Sequence, residues 1–323
     1  MNKRTYHPVF GQITPTYLSI ALGMVLVGWQ AEVGTLSVTV QWIVFASLLV
    51  SVGIPHGALD HLIARETASR AGKTFSLSWF VVRYLLIMIV YGTTWFLFPG
   101  LSLGLFLLMS IWHFGETDIE RVPSTLIWSV VRLMVGGFVL AFILLTHPTE
   151  VTPVLKHMTL NHLLIVSLWQ TALSHSWLLL WGWGLLTVCL FRIAFQQSPV
   201  IVDWLRLARL AIILALGFAL PLLLAFGLYF SGWHALNSFQ MTYGYLQHSR
   251  RPKQPVVTAG QIWMNSLPLT AIALAFCSAL AWWWPYSTLV EDPLRLFFVF
   301  LSLITLPHLC VLHIMNNQLK ATG

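Results

Sequence analysis

A helix must run through roughly 20 apolar residues to cross a hydrocarbon core about 30 Å thick, and this chain meets that requirement again and again along its length. Ten spans are expected on that ruler. They are Thr14–Gln30, Val38–Ile63, Leu77–Phe98, Leu101–Ile119, Ser124–Thr146, Ser176–Phe195, Asp203–Leu220, Leu222–Gln247, Gly260–Trp284 and Pro293–Asn316. Composition agrees: 58% of the residues are hydrophobic and 8% are charged, against about 25% charged in a soluble globule. The chain reads as an all-helical, polytopic membrane bundle forming one domain over residues 1–323.

The formal charge of +7 does not point to nucleic acid. The cations sit in short loops between apolar runs, where lysine and arginine mark the cytoplasmic side of a membrane protein. Pro221 falls in the middle of a run too long for one crossing and breaks it into a helical hairpin. With that hairpin, Arg65, Arg70 and Lys73, then Arg121, then Arg250, Arg251 and Lys253 all lie on one side with Lys3 and Arg4. Both termini are therefore expected in the cytoplasm, with the protein in the cell (inner) membrane. Asn161–Leu173 is apolar but short, and is expected to lie at the outer interface or re-enter. Cys189, Cys277 and Cys310 sit inside apolar runs and are expected to be small buried hydrophobes. No cleaved leader is expected after Lys3 and Arg4.

Four of the spans carry a histidine in an unusual context. They are His56 in SVGIPHGALDH, His113 in IWHFGETD, His234 in SGWHALNS and His308 in LPHLCVLH. Under the topology above, all four spans run in the same direction and the imidazoles fall at similar depth. Helices of a bundle build metal sites from such inward-facing side chains. Neutral imidazole is a common ligand for iron, zinc and copper, and ionisable groups inside a membrane are costly and usually functional. Taken singly, each histidine also fits a polar side chain bonded to a neighbouring helix. Asp60 follows His56 by four residues on the same helix face, and Asp118 follows His113 by five. Either carboxylate could take the second ring N–H of its neighbour and fix the tautomer, or the two could cap the inner helix ends or pair with Arg65 and Arg121. His7, His147, His157, His162, His175 and His248 lie away from this depth and are expected to be solvated. Trp112 and Trp233, each next to a candidate ligand, are expected to wall an apolar pocket reached from the bilayer.

At these residues the sequence resembles the Brp/Blh family of integral-membrane β-carotene dioxygenases. The resemblance lies in Gly53-Ile54-Pro55-His56-Gly57-Ala58-Leu59-Asp60, in His113-Phe114-Gly115 with Asp118, in the approach from Tyr229 to His234, and in Pro307-His308. It implies cleavage of the central 15,15′ double bond of β-carotene by O2, giving two retinals, at a non-haem iron(II) held by histidines. His56, His113 and His234 match the family's ligand positions, and His308 matches a Pro-His of its last helix. Phe114 and Tyr229 join the tryptophans as expected pocket residues. The chain departs from the family at one place. Where the family reads His-Ser-x-Arg-His, this chain has His234-Ala235-Leu236-Asn237-Ser238, so Ser238 stands in place of a second histidine and Asn237 in place of the arginine. A hydroxyl is a poor iron ligand beside imidazole, leaving His308 or water to complete the set. Two other readings stay open: a member that binds a carotenoid or retinal without cleaving it, and a haem protein with two histidines per haem.

Overall fold

The computed structural model describes residues 15–120, 122–200, 202–248, 257–283 and 293–322. All regular structure among them is helical. The elements are α1 Pro15–Val33, α2 Val38–Leu48, α3 Ile54–Gly57, α4 Asp60–Arg70, α5 Leu77–Leu97, α6 Pro99–Asp118, α7 Leu126–Thr146 and α8 Pro148–Met158. They continue with α9 Leu163–Ser174, α10 Ser176–Gln197, α11 Trp204–Phe218, α12 Leu222–Tyr229, α13 Leu236–His248, α14 Ala259–Trp283 and α15 Pro293–Thr322. Local signals set several of the boundaries. Ser37, Ser76 and Asp203 accept from the backbone N–H three residues on, capping α2, α5 and α11. Pro99 and Pro148 open α6 and α8, where a missing N–H costs nothing.

Among the described residues, seven helices are long and apolar enough to cross a membrane, and the protein is a multi-pass membrane bundle. They correspond to the first, second, third, fifth, sixth, ninth and tenth expected spans. The remaining three are α6, the short α11 of 15 residues, and the run from α12 to α13. This last run explains why hydropathy and burial part company. Every residue from Leu222 to Ala235 is buried, so α12 and the turn after it form the centre of the bundle and meet protein rather than lipid. Pro221 separates α11 from α12 as expected. Between α7 and α10 there are two short helices where one was expected. α9 matches the bounds of the short apolar piece, and α8, which holds Pro153 and is not an apolar run, is the additional one.

Two π-helical turns interrupt the long helices, Leu49–Gly53 before His56 and Phe230–Ala235 around His234. Such turns recur at functional sites because they re-aim a side chain. Pro55 deprives the Ser51 carbonyl of its helical partner, and the Trp263 indole N–H supplies one at 2.8 Å. α6 and α7 cross at glycines. A Cβ on Gly136 would collide with the Ile111 carbonyl and the Gly115 backbone, and one on Gly115 with the Arg132 carbonyl. The end of α6 is then tied down by two arginines. Arg132 donates to the Ile119 and Val122 carbonyls, and Arg206 to Thr117 at 2.6 Å and to Glu120 at 3.1 Å.

One histidine departs from its expected solvated role. His147 is buried, with ring nitrogens 2.7 Å from the Ile143 carbonyl and 2.9 Å from the Leu220 carbonyl. It ties the end of α7 to the α11–α12 turn. His7, Lys3, Arg4, Arg121, Arg250, Arg251, Lys253 and Trp284 lie outside the described residues.

Candidate metal centre

The four histidines come from distant parts of the chain and meet. His56 lies in α3, His113 near the end of α6, His234 in the second π turn and His308 in α15. All four are buried. His56, His113 and His308 each present a ring nitrogen, and the three atoms lie within 4.8 Å of one another. His234 joins the group through His113, with 3.0 Å between their Nε2 atoms. Ring centroids are 4.5 Å apart for His113 and His234, 5.1 Å for His113 and His308, and 5.3 Å for His56 and His308.

The outer nitrogens say which inner ones are bare. His308 Nδ1 lies 2.7 Å from Asp60 Oδ1, so it carries the proton and donates it. His308 Nε2 is then an unprotonated lone pair, buried and without a hydrogen-bond partner. His56 Nδ1 donates to the Gly53 carbonyl, which leaves its Nε2 bare as well. A metal-ligating histidine shows the same arrangement, one nitrogen held by a carboxylate or carbonyl and the other free for the ion. The 3.0 Å between His113 and His234 also suits two neighbouring nitrogens around one small cation with metal–nitrogen bonds of about 2.0–2.1 Å. The donor set fits a first-row divalent metal. It does not suit opposed axial ligands of a haem, since His113 and His234 sit side by side.

Asp60 was expected to serve His56, which shares its helix face. It serves His308 instead. The helix breaks at Ala58 and Leu59 between α3 and α4, so the simple four-residue register is lost and the carboxylate turns toward α15. His56 is satisfied within its own helix by Gly53. Asp118 does not reach His113 either. Its two oxygens accept from Trp233 Nε1 at 2.7 Å and from Tyr229 Oη at 3.0 Å. Asp118 therefore clamps α6 to Tyr229, just before the π turn of His234, and to Trp233 within it, with Arg206 over the Trp233 ring at 5.6 Å.

A cavity of about 210 Å³ abuts the cluster, lined by His56, His113 and His308 on one side and by Phe106, Phe114, Phe230, Met88, Leu269 and Phe300 among others. Its rim reaches Leu85 on α5 and Ile272 and Phe276 on α14, all exposed on the outside of the bundle. Of the expected pocket residues, Phe114 lines this cavity. Trp233 and Tyr229 stand behind the cluster because Asp118 holds their polar ends. Trp112 is half-buried and does not line it, since one residue along a helix turns the side chain about 100° from His113. Ser238 and Asn237 are buried but also lie outside the cavity lining. Asn237 donates to the Trp233 carbonyl at 2.7 Å. Tyr84, Arg132 and Arg206 were not singled out from sequence. The two arginines had a signal available, namely a cation within or at the end of an apolar span.

Comparison with known proteins supplies the rest. The family model described as beta-carotene 15,15′-dioxygenase matches residues 47–316. A beta-carotene 15,15′-dioxygenase of an uncultured marine bacterium is 31% identical over 220 residues, covering 68% of this chain and 76% of that protein. The probable beta-carotene 15,15′-dioxygenase Blh of Halobacterium salinarum is 23% identical over 323 residues, covering 93% of this chain and 92% of its own. No solved structure matches.

Proposed function

Since the chain belongs to the beta-carotene 15,15′-dioxygenase family, we propose that it cleaves the central double bond of β-carotene, or of a related carotenoid, with O2 to give retinal. The observation that carries this reading is a cluster of four buried imidazoles, three of which line an apolar cavity whose rim reaches exposed residues of α5 and α14. Iron(II), held by His56, His113, His234 and His308, would supply the activation of O2. The protein's own share is binding and orientation. Phenylalanine, leucine and methionine side chains hold a long hydrocarbon out of water, and the histidine wall sets which bond faces the centre. The reaction balances as one C=C broken and two C=O formed, both oxygens coming from one O2. No side chain has to move a proton, in keeping with an almost wholly apolar lining. In this reading His308, with Asp60 behind it, does the work that the family gives to the histidine replaced by Ser238. The protein sits in the cell membrane with both termini in the cytoplasm.

The test is direct. Purified protein is loaded with iron(II) without air, given β-carotene and then ¹⁸O2. Retinal is expected, with label in every aldehyde formed. Label in only half of the aldehydes would sink the dioxygenase assignment. Carotenoid that stays bound and intact would favour the second reading, for which Ser238 is the motive: a binding protein that has lost cleavage.

A further inference from the structure

Behind His308 lies a group that the histidine motifs do not announce. Tyr84, on α5, points its hydroxyl into the space between α4 and α15. It lies 3.3 Å from Asp60 Oδ2 and 3.2 Å from the Ile304 carbonyl. Asp60 is buried, and its other oxygen takes the His308 Nδ1 proton at 2.7 Å. The Tyr84 hydroxyl has one proton for Asp60 Oδ2 and the Ile304 carbonyl, and the charged carboxylate is the stronger acceptor, so both carboxylate oxygens are engaged, one by each neighbour. A carboxylate held at a single oxygen can swing about its Cβ–Cγ bond, while one held at both cannot. The Tyr84 ring meanwhile walls the large cavity and also a second one of about 90 Å³ on its far side. Phenylalanine would fill that wall equally well, and Phe80 fills the same two walls one turn earlier. A hydroxyl brought into an apolar wall costs free energy unless it is bonded, so its place here is explained by the bond it makes.

We propose that Tyr84 is a positioning residue for the histidine centre, fixing Asp60 so that Asp60 in turn fixes the orientation of His308. This rests on the reading that the centre holds a metal. Partners of this outer kind typically change metal affinity 10–100-fold when removed, because they hold a ligand in its bonding direction.

Cobalt(II) serves as the probe, since its visible absorption reports the arrangement of its ligands. Wild type, Tyr84→Phe, Asp60→Ala and the double variant are titrated with cobalt(II) in detergent. Tyr84→Phe keeps the ring and its packing. It is expected to bind cobalt about tenfold more weakly and to shift the visible bands. Asp60→Ala is expected to weaken binding further, and adding Tyr84→Phe to it to change nothing more, because the tyrosine acts only through the carboxylate. An unchanged affinity and spectrum in Tyr84→Phe would overturn the proposal, and so would a loss that adds in full to that of Asp60→Ala. If Asp60→Ala does not accumulate, Tyr84→Phe decides alone. A wild type that binds no cobalt, zinc or iron removes the metal reading itself, which is a different failure from a metal-binding protein indifferent to Tyr84.

Discussion

Two of the site histidines have a second nitrogen held by a protein oxygen, and those oxygens set what substitution should do. His308 is aimed by a buried carboxylate and His56 by a carbonyl of its own helix. Removing either ring is expected to lower iron occupancy of the purified protein by more than about tenfold while helical content by circular dichroism stays at the wild-type level. Full occupancy in His308→Ala would show that the last helix contributes no ligand. Ser238 gives the opposite case. The family's histidine at that position invites restoration, but here the side chain is buried and outside the cavity. Ser238→His is expected to overpack α13, lowering stability by about 1–3 kcal/mol with no gain in metal bound. Thermal unfolding and elemental analysis of one preparation read both.

At the level of helices, the site depends on how closely α6 can approach its neighbours. His113 is carried by α6, which lies against α7 at Gly115 and Gly136 and is clamped to the second π turn through Asp118. A methyl group on Gly136 would meet backbone atoms that cannot rotate away, so the helices must separate. Gly136→Ala is expected to lower the unfolding temperature by several degrees and to release metal, although residue 136 itself touches no histidine. Gly104→Ala, on α6 rather than α7 and with open space around it, is the control and is expected to behave as wild type. Equal behaviour of the two variants would mean that the crossing does not control the position of His113.

For the molecule as a whole, a broad apolar exterior and a small polar centre belong to one design. Exposed leucine, valine, phenylalanine and tryptophan cover α1, α5 and α10, while the polar groups of the site are gathered around α12 and its π turn. In the proposed reaction the chemistry resides in an ion that the protein takes up. Treatment with a strong iron chelator is expected to abolish retinal formation, and iron(II) under reducing conditions to restore most of it, with magnesium restoring none. Activity that survives complete removal of iron, zinc and copper would refute the proposed chemistry.

Much of this protein is written along the chain. Apolar runs of membrane length, the break at Pro221 and four histidines in Pro, Gly and Trp contexts are one-dimensional signals, and each has its place in the bundle. What pairs with what is a different kind of information. Asp60 shares a helix face with His56 in the sequence yet binds His308, 248 positions away. Asp118 follows His113 but binds Tyr229 and Trp233. Tyr84 looks like one more aromatic in a lipid-facing helix until α4 and α15 are set beside it. Periodicity fixes which residues share a face of one helix. The rotation of each helix about its axis, and the breaks and π turns that reset that rotation, are fixed by packing against the others, so only the assembled bundle decides which carboxylate stands behind which imidazole.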